Sequence, residues 1–570
     1  MLTVDPHERK GPPPLPAARP RRFVERDASL TDAPEILRYY RVLSERRLDT
    51  APDIEQFLAD LSELQAAVDE TGSRLYIGMT CQTDSPELAG AHAHFVEHVL
   101  TQVKPWKDVL SKKYLEARER VRDASGRFNV FDRALRTDIE IYTHENIRLE
   151  AEDELLAQEY QTICAAMTIE FMGQERTLQQ IQPFLLAPER DLREAAWRAA
   201  TVRRMEDRDR LDDIFDELLD IRTRIARHAG CPNFAEFQFK ALHRFDYGIE
   251  DCEAFHAAVE KHFVPLLHEI LSRRTESLGL ETLRPWDTAA DPSGRRPLRP
   301  FSSTAELTQK MEAVLSSVDD QLGAQFRSLH ERGLLDIDSR KGKAPGGYQS
   351  LLGEARAPFI FMNAVGVADD VVTLCHESGH AVHAIAAGEH GLFAYRHAPI
   401  EFSEVASFGM EMLAGERLGP FYEGPEFERA RRDYIESKIT LFPWICIIDA
   451  FQLWLYRNPS HSRAERTDAW LGIHERFNGG AVDWSGLRDE QAYLWQRQPH
   501  LFTTALYYIE YGIALTGALQ LWQHARRDWT GTVDRYKAAL ALGGSKPLPE
   551  LFAAAGLEFD FSEATLAPLA

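Results

Sequence analysis

With 570 residues, a formal net charge of −23 and a pI near 5.4, the chain can bury a large core and form more than one lobe. Its 44% hydrophobic and 27% charged content excludes wholesale disorder, and so acidic a surface repels a phosphate backbone, so no nucleic-acid partner is expected. Six cysteines (Cys81, Cys164, Cys231, Cys252, Cys375 and Cys446) form no CxxC pair, and they read as reduced thiols of a cytoplasmic protein.

The first 30 residues include GPPPLPAARPRR (11–22), whose prolines predict an extended, flexible N-terminus. No signal-type apolar run opens the chain, and no window approaches 18 continuous apolar residues, so no membrane span is expected. From about Asp32 onward apolar residues recur at helical spacing, through 52–68, 91–120, 137–173, 190–203, 254–273 and 304–330. The stripe Leu211, Ile214, Phe215, Leu218, Ile221 and Ile225 is the clearest, with Asp212, Asp213, Asp216 and Arg222 on the other faces. Gly230 and Pro232 then end that helix. Turn-rich stretches at 288–300 and 340–347 read as loops, and the second leads into a strand-like run at Phe359–Met362. The pattern is that of a predominantly α-helical protein with a small β-sheet near one site.

That site lies in VVTLCHESGHAVHAIAAGEH (371–390), where His376-Glu377-Ser378-Gly379-His380 matches HExxH. On a helix, residues four apart share a face, so both imidazoles can reach one metal ion. Glu377, about 100° round the helix from His376, is placed to act as a general base on a water beside the metal. Catalytic zinc takes three protein ligands and keeps one position open. Extension to HExxHxxGxxH fails at His383 and Ala386, so the third ligand should be a carboxylate on another helix. Glu389 is too near in the chain; Glu401, Glu404 and Glu411 follow. Glu404 is chosen because Ser403, Val405, Ala406 and Ser407 allow close helix approach, and Glu411 is read as a partner orienting a histidine. Cys375 and His383 are expected to pack beside the site without ligating.

HESGHAVH, followed by EVASF, resembles the M3 oligopeptidases, in particular the oligoendopeptidase F branch. GKAPGGYQSLLGEARAPFIFMNAVGVADDVVTL (342–374) and PHLFTTALYYIEYGIA (499–514) extend the likeness over about 185–565. The resemblance implies an ellipsoidal zincin with a deep internal channel, an N-terminal helical lobe over 31–185 and a catalytic lobe over 186–570. It implies one Zn2+ on His376, His380 and Glu404, and Glu377 as base. His500, Tyr507 and Tyr511 would contact the substrate and stabilise the tetrahedral intermediate, as hydroxyl and imidazole donors can. Tyr507 and Tyr511 would share a helical face if their segment is helical. Gly346 and Gly347 would form a substrate loop, and Phe359, Phe361 and Asn363 an edge strand pairing with the peptide backbone. Expected substrates are short unstructured peptides cut internally; the oligomeric state is not legible. A metallocarboxypeptidase would need a group to hold the terminal carboxylate, which the sequence does not place. A peptide-binding protein without turnover fits poorly with an intact Glu377.

Overall fold

Helices make up most of the chain, as the spacing of its apolar residues requires. The computed structural model describes residue 15, residues 20–121 and residues 125–570. The stripe at 211–225 becomes helix Arg208–His228 and buries all six of its apolar residues. Asp212 and Arg222, expected on outer faces, are buried instead. Arg222 donates to Asp153 and to the carbonyls of Leu501 and Phe502, while Asp212 accepts from Gln496. Such partners are what make a buried charge tolerable. The stripe over 137–173 divides into helices Asn129–Ile141 and Asn146–Ala166, followed by β1 (Thr168–Phe171). β1 pairs with β2 (Gln174–Thr177) across a tight turn, where Met172 and Gly173 both take positive φ.

Among the described residues, most buried apolar side chains fall in two large hydrophobic cores. The smaller gathers buried side chains from Val24 to Phe131, with Tyr395. The larger runs from Ile77 to Leu566 and includes Leu149 and Tyr160 together with Phe215 and Trp495. Most of the segment expected to be flexible lies outside the described residues, but residues 21–30 are docked. Val24 and Leu30 are buried, the backbone N–H groups of Arg22, Phe23 and Val24 converge on Glu63, and Arg21 pairs with Glu354 at 2.6 Å. Among the described residues one helix, Pro425–Arg457, is long and apolar enough to cross a membrane, and 67% of its apolar window is buried inside the protein.

A three-stranded sheet adjoins the site: β3 (Leu335–Asp338), β4 (Tyr348–Leu352) and β5 (Ala357–Ala364), in the order β3-β5-β4. The strand expected at an edge is therefore the middle one, parallel to β3 and antiparallel to β4. Its unbroken apolar run, rather than an alternating one, is what a strand covered on both faces requires. Directly after β5, Asp370 accepts from the N–H groups of Val365, Gly366 and Val367 and anchors the start of helix Ala368–Ala387, the histidine helix.

The histidine helix packs on Ile400–Gly415, the glutamate helix, which in turn packs on Ile509–Ala525, the tyrosine helix. The glutamate helix is buried on nearly every side, consistent with its apolar and small residues. Gly379 marks its crossing with the histidine helix. A Cβ there would stand 2.5 Å from the Ala406 carbonyl oxygen and 2.6 Å from Ser407 Cα.

Candidate metal centre

At that crossing His376, His380 and Glu404 present ligand atoms that all lie within 4.8 Å of one another. Glu404 Oε2 is 3.3 Å from His376 Nε2 and 3.5 Å from His380 Nε2. Two imidazole nitrogens and one carboxylate oxygen are the donor set of a catalytic zinc site with a fourth position open. The surrounding residues aim these donors. His376 Nδ1 lies 2.7 Å from Glu411 Oε1, which turns Nε2 toward Glu404, and Lys438 Nζ holds the other Glu411 oxygen at 2.5 Å. Ser407 Oγ donates to Glu404 Oε2 at 2.8 Å, and the Tyr507 hydroxyl donates to Glu404 Oε1. Glu404 is fully buried, yet the neighbouring histidines keep its carboxyl well below the usual range, against the upward push of burial.

Glu377 follows His376 on the same helix and is 5% exposed, with Oε2 making no hydrogen bond among the described residues. Burial pushes its pKa upward, which suits a group that must take and return a proton. Gly347 lies against it: a Cβ on Gly347 would be 3.3 Å from Glu377 Oε1 and 3.2 Å from Thr373 Cγ2. The 340–347 loop thus approaches Glu377 closely, and Gly346 takes φ +90°, a conformation that favours glycine. Asn363 donates to the carbonyls of Ala344 and Gly346, so its amide ties this loop to β5. The Phe359 and Phe361 side chains are wholly buried, and Phe361 stacks on Tyr348 at 4.6 Å. Both side chains belong to the core.

The residues near the C-terminus also converge here, though not on one helical face. Tyr507 precedes the tyrosine helix, and Tyr511 is in its first turn. Between Ala505 and Tyr507 the chain turns through Leu506, a non-glycine residue at φ 60°. Gln452 accepts its N–H at 2.6 Å, and Arg244 donates to its carbonyl. The turn brings the Tyr507 and Tyr511 rings to 5.2 Å, with His500 at 5.5 and 5.6 Å from them. The Tyr511 ring is 6.5 Å from that of His376. His383 is buried beside Phe402, where burial lowers its pKa to about 3, and it is not among the three residues whose ligand atoms converge. Cys375 is likewise buried, its Sγ 3.7 Å from Met311 Sδ. Lys438, Gln498 and Trp444 carry no local signal; they reach the site from helix interiors or from distant parts of the chain.

A chain of helices that brings an HExxH pair and a carboxylate from a second helix onto one point defines the class as a helical protein of the HExxH metallopeptidase type. The model of peptidase family M3 matches residues 184–570, and the chain belongs to that family. It is similar to the plasmid-encoded oligoendopeptidase F of Lactococcus lactis subsp. cremoris, 24% identical over 323 residues, 54% of this chain and 50% of the relative. Oligopeptidase PepF of Bacillus subtilis strain 168 is 24% identical over 327 residues, 54% of this chain and 45% of PepF. The alignments thus span about half the length of these curated relatives. Among solved structures, PZ peptidase A with an inhibitor superposes with a TM-score of 0.88 at 27% identity, covering 96% of this chain and 97% of that one. A candidate oligoendopeptidase F from Bacillus anthracis str. Ames gives a TM-score of 0.85 at 25% identity over the same shares. The oligoendopeptidase F-like character read in the sequence holds for the whole fold.

Proposed function

We propose that the protein is a zinc-dependent oligoendopeptidase that cleaves internal bonds of short, unstructured peptides. The observation that carries this is the convergence of His376, His380 and Glu404 beside the unpartnered, buried carboxylate oxygen of Glu377. The site fits a zinc ion. The three donors are of the right chemistry, and neighbours hold two of them, Glu411 at His376 and Ser407 at Glu404. Bound there, zinc supplies Lewis acidity that polarises a carbonyl and makes water nucleophilic near neutral pH.

The chain's own residues perform the rest. Glu377 accepts a proton from the attacking water at its carboxylate and delivers it to the leaving amine. Tyr511, with His500 behind it, donates a hydrogen bond to the oxygen on which negative charge develops. Tyr507, engaged with Glu404, holds that ligand in place. The Gly346–Gly347 loop lets a peptide backbone pass close to Glu377. The histidine side chains are only 17% and 16% exposed, which supports a substrate segment that is thin and unstructured.

Glu377→Gln tests the mechanism. It should retain one equivalent of zinc while turnover of an internally quenched peptide with both ends blocked falls by about 10³-fold or more. Near-normal hydrolysis by that variant would sink the base assignment. Cleavage confined to peptides with a free C-terminus would move the activity to the carboxypeptidase class.

A further inference from the structure

Gln498 is 9% exposed and lies between the core and His500. Its Oε1 is 3.2 Å from the indole Nε1 of Trp444 and 3.3 Å from the Tyr508 hydroxyl, both of which donate to it. An indole N–H can only donate, so the amide must turn its oxygen to Trp444 and its NH2 group away. That NH2 group lies 2.8 Å from His500 Nδ1. An amide nitrogen can only donate in turn, so Nδ1 carries the lone pair and the ring proton sits on Nε2. His500 Nε2 is 3.1 Å from the Tyr511 oxygen, which therefore accepts. The remaining Tyr511 proton is left to point elsewhere.

We infer that Trp444, Gln498 and His500 form a one-way chain of donors that makes Tyr511 the terminal donor to the reacting carbonyl, with Trp444 and Gln498 as positioning residues. The inference rests on the peptidase function proposed above for His500 and Tyr511. Aligned hydrogen bonds polarise one another in a water-poor interior, so each donor strengthens the next. Reversing the amide of Gln498 would set its NH2 group against the Trp444 N–H, reverse the links at His500 and turn the Tyr511 proton inward. Burial also keeps His500 neutral, against the pull of the Glu404 charge, with the Tyr507, Tyr508 and Tyr511 rings packed about it. Neutral imidazole with its proton on Nε2 is the form the chain needs.

Gln498→Glu reverses the chain with little change of shape. A carboxylate accepts from Trp444 and Tyr508 but has nothing to donate, so it draws the His500 proton to Nδ1. His500 Nε2 then accepts from Tyr511. In zinc-loaded protein labelled with 15N-histidine, His500 is assigned by the signal lost in His500→Asn. It should read as the Nε2–H tautomer in the wild type and as Nδ1–H in Gln498→Glu. In the same variant kcat should fall about 100-fold with little change in KM. Tyr511→Phe should cost a similar factor in the wild type but add less than about 3-fold to Gln498→Glu, because the two act through one link. Gln498→Met, which neither donates nor accepts, should lose less kcat than Gln498→Glu. An Nδ1–H His500 in the wild type, or an unchanged tautomer in Gln498→Glu, would overturn the chain. Failure of the wild type to hydrolyse peptides would overturn the peptidase function instead, and the tautomer measurement separates the two.

Discussion

Glu404 and Glu401 lie three residues apart on one buried helix and could be mistaken for each other in the sequence. Their surroundings differ. Glu404 is enclosed by His376, His380, Ser407 and Tyr507, whereas Glu401 accepts from the Tyr247 hydroxyl at 2.6 Å. Glu404→Ala is therefore expected to abolish stoichiometric zinc binding. Glu401→Ala should keep the metal and lose about 1–3 kcal/mol of stability, because Tyr247 is left buried without its acceptor. Metal analysis beside denaturant unfolding checks both, and the reverse pattern would transfer the ligand role to Glu401. Tyr507 is assessed the same way. Its hydroxyl restrains a ligand, so Tyr507→Phe should weaken zinc affinity about 10–100-fold, as removal of a ligand's own hydrogen-bond partner does elsewhere. A competitive chelator titration measures this.

At the scale of elements, the crossing of the histidine and glutamate helices sets the metal geometry, and Gly379 sets the crossing. Any side chain there would meet the backbone of Ala406 and Ser407, which cannot yield as a rotamer can. Gly379→Ala should push the helices apart, cost more than the usual 1–3 kcal/mol of overpacking, and release zinc; circular dichroism melting and metal content would show both losses together. The sequence made the histidine pair legible because helical spacing is local, and the small residues around Glu404 announced a close helix contact. That Gly379 is the other half of the contact was hidden, since a glycine inside HExxH looks like filler until its partner helix is placed. Strand order was hidden for a similar reason. Phe359–Met362 has the unbroken apolar character of a central strand, but pairing with Leu335–Asp338 and Tyr348–Leu352 is set by chain segments far apart. Lys438, from the middle of a 33-residue helix, and Gln498, before the short turn at His500, reach the site through tertiary packing alone. Tyr507 and Tyr511 do meet, but through the Leu506 turn rather than along a helical face.

At the scale of the whole molecule, buried histidines tie stability to pH. Burial lowers the pKa of His383 to about 3 and that of His474 to about 4, with Arg497 adding to the effect on His474. His474 is 5% exposed, and its two ring nitrogens face only the side-chain amides of Asn478 and Gln491, at 3.1 and 3.3 Å, with no carboxylate among the described residues to pair with an imidazolium. In the unfolded chain a histidine titrates near about 6.5. Between the folded and unfolded values the unfolded chain therefore holds the extra proton, and stability falls as pH drops from about 6.5 toward 4. Each such group contributes up to about 1.4 kcal/mol per pH unit in that window. Carboxyl groups raised by burial, Glu510 among them, bend the curve the other way, so the total slope alone is not diagnostic. The difference from His474→Gln is, because glutamine cannot titrate and all other groups cancel. Urea unfolding at pH 7.0, 6.0 and 5.0 should show the variant losing less stability on acidification than the wild type, with the gap growing by about 1 kcal/mol per unit. Parallel curves would mean that His474 takes up a proton as readily in the folded protein as in the unfolded chain.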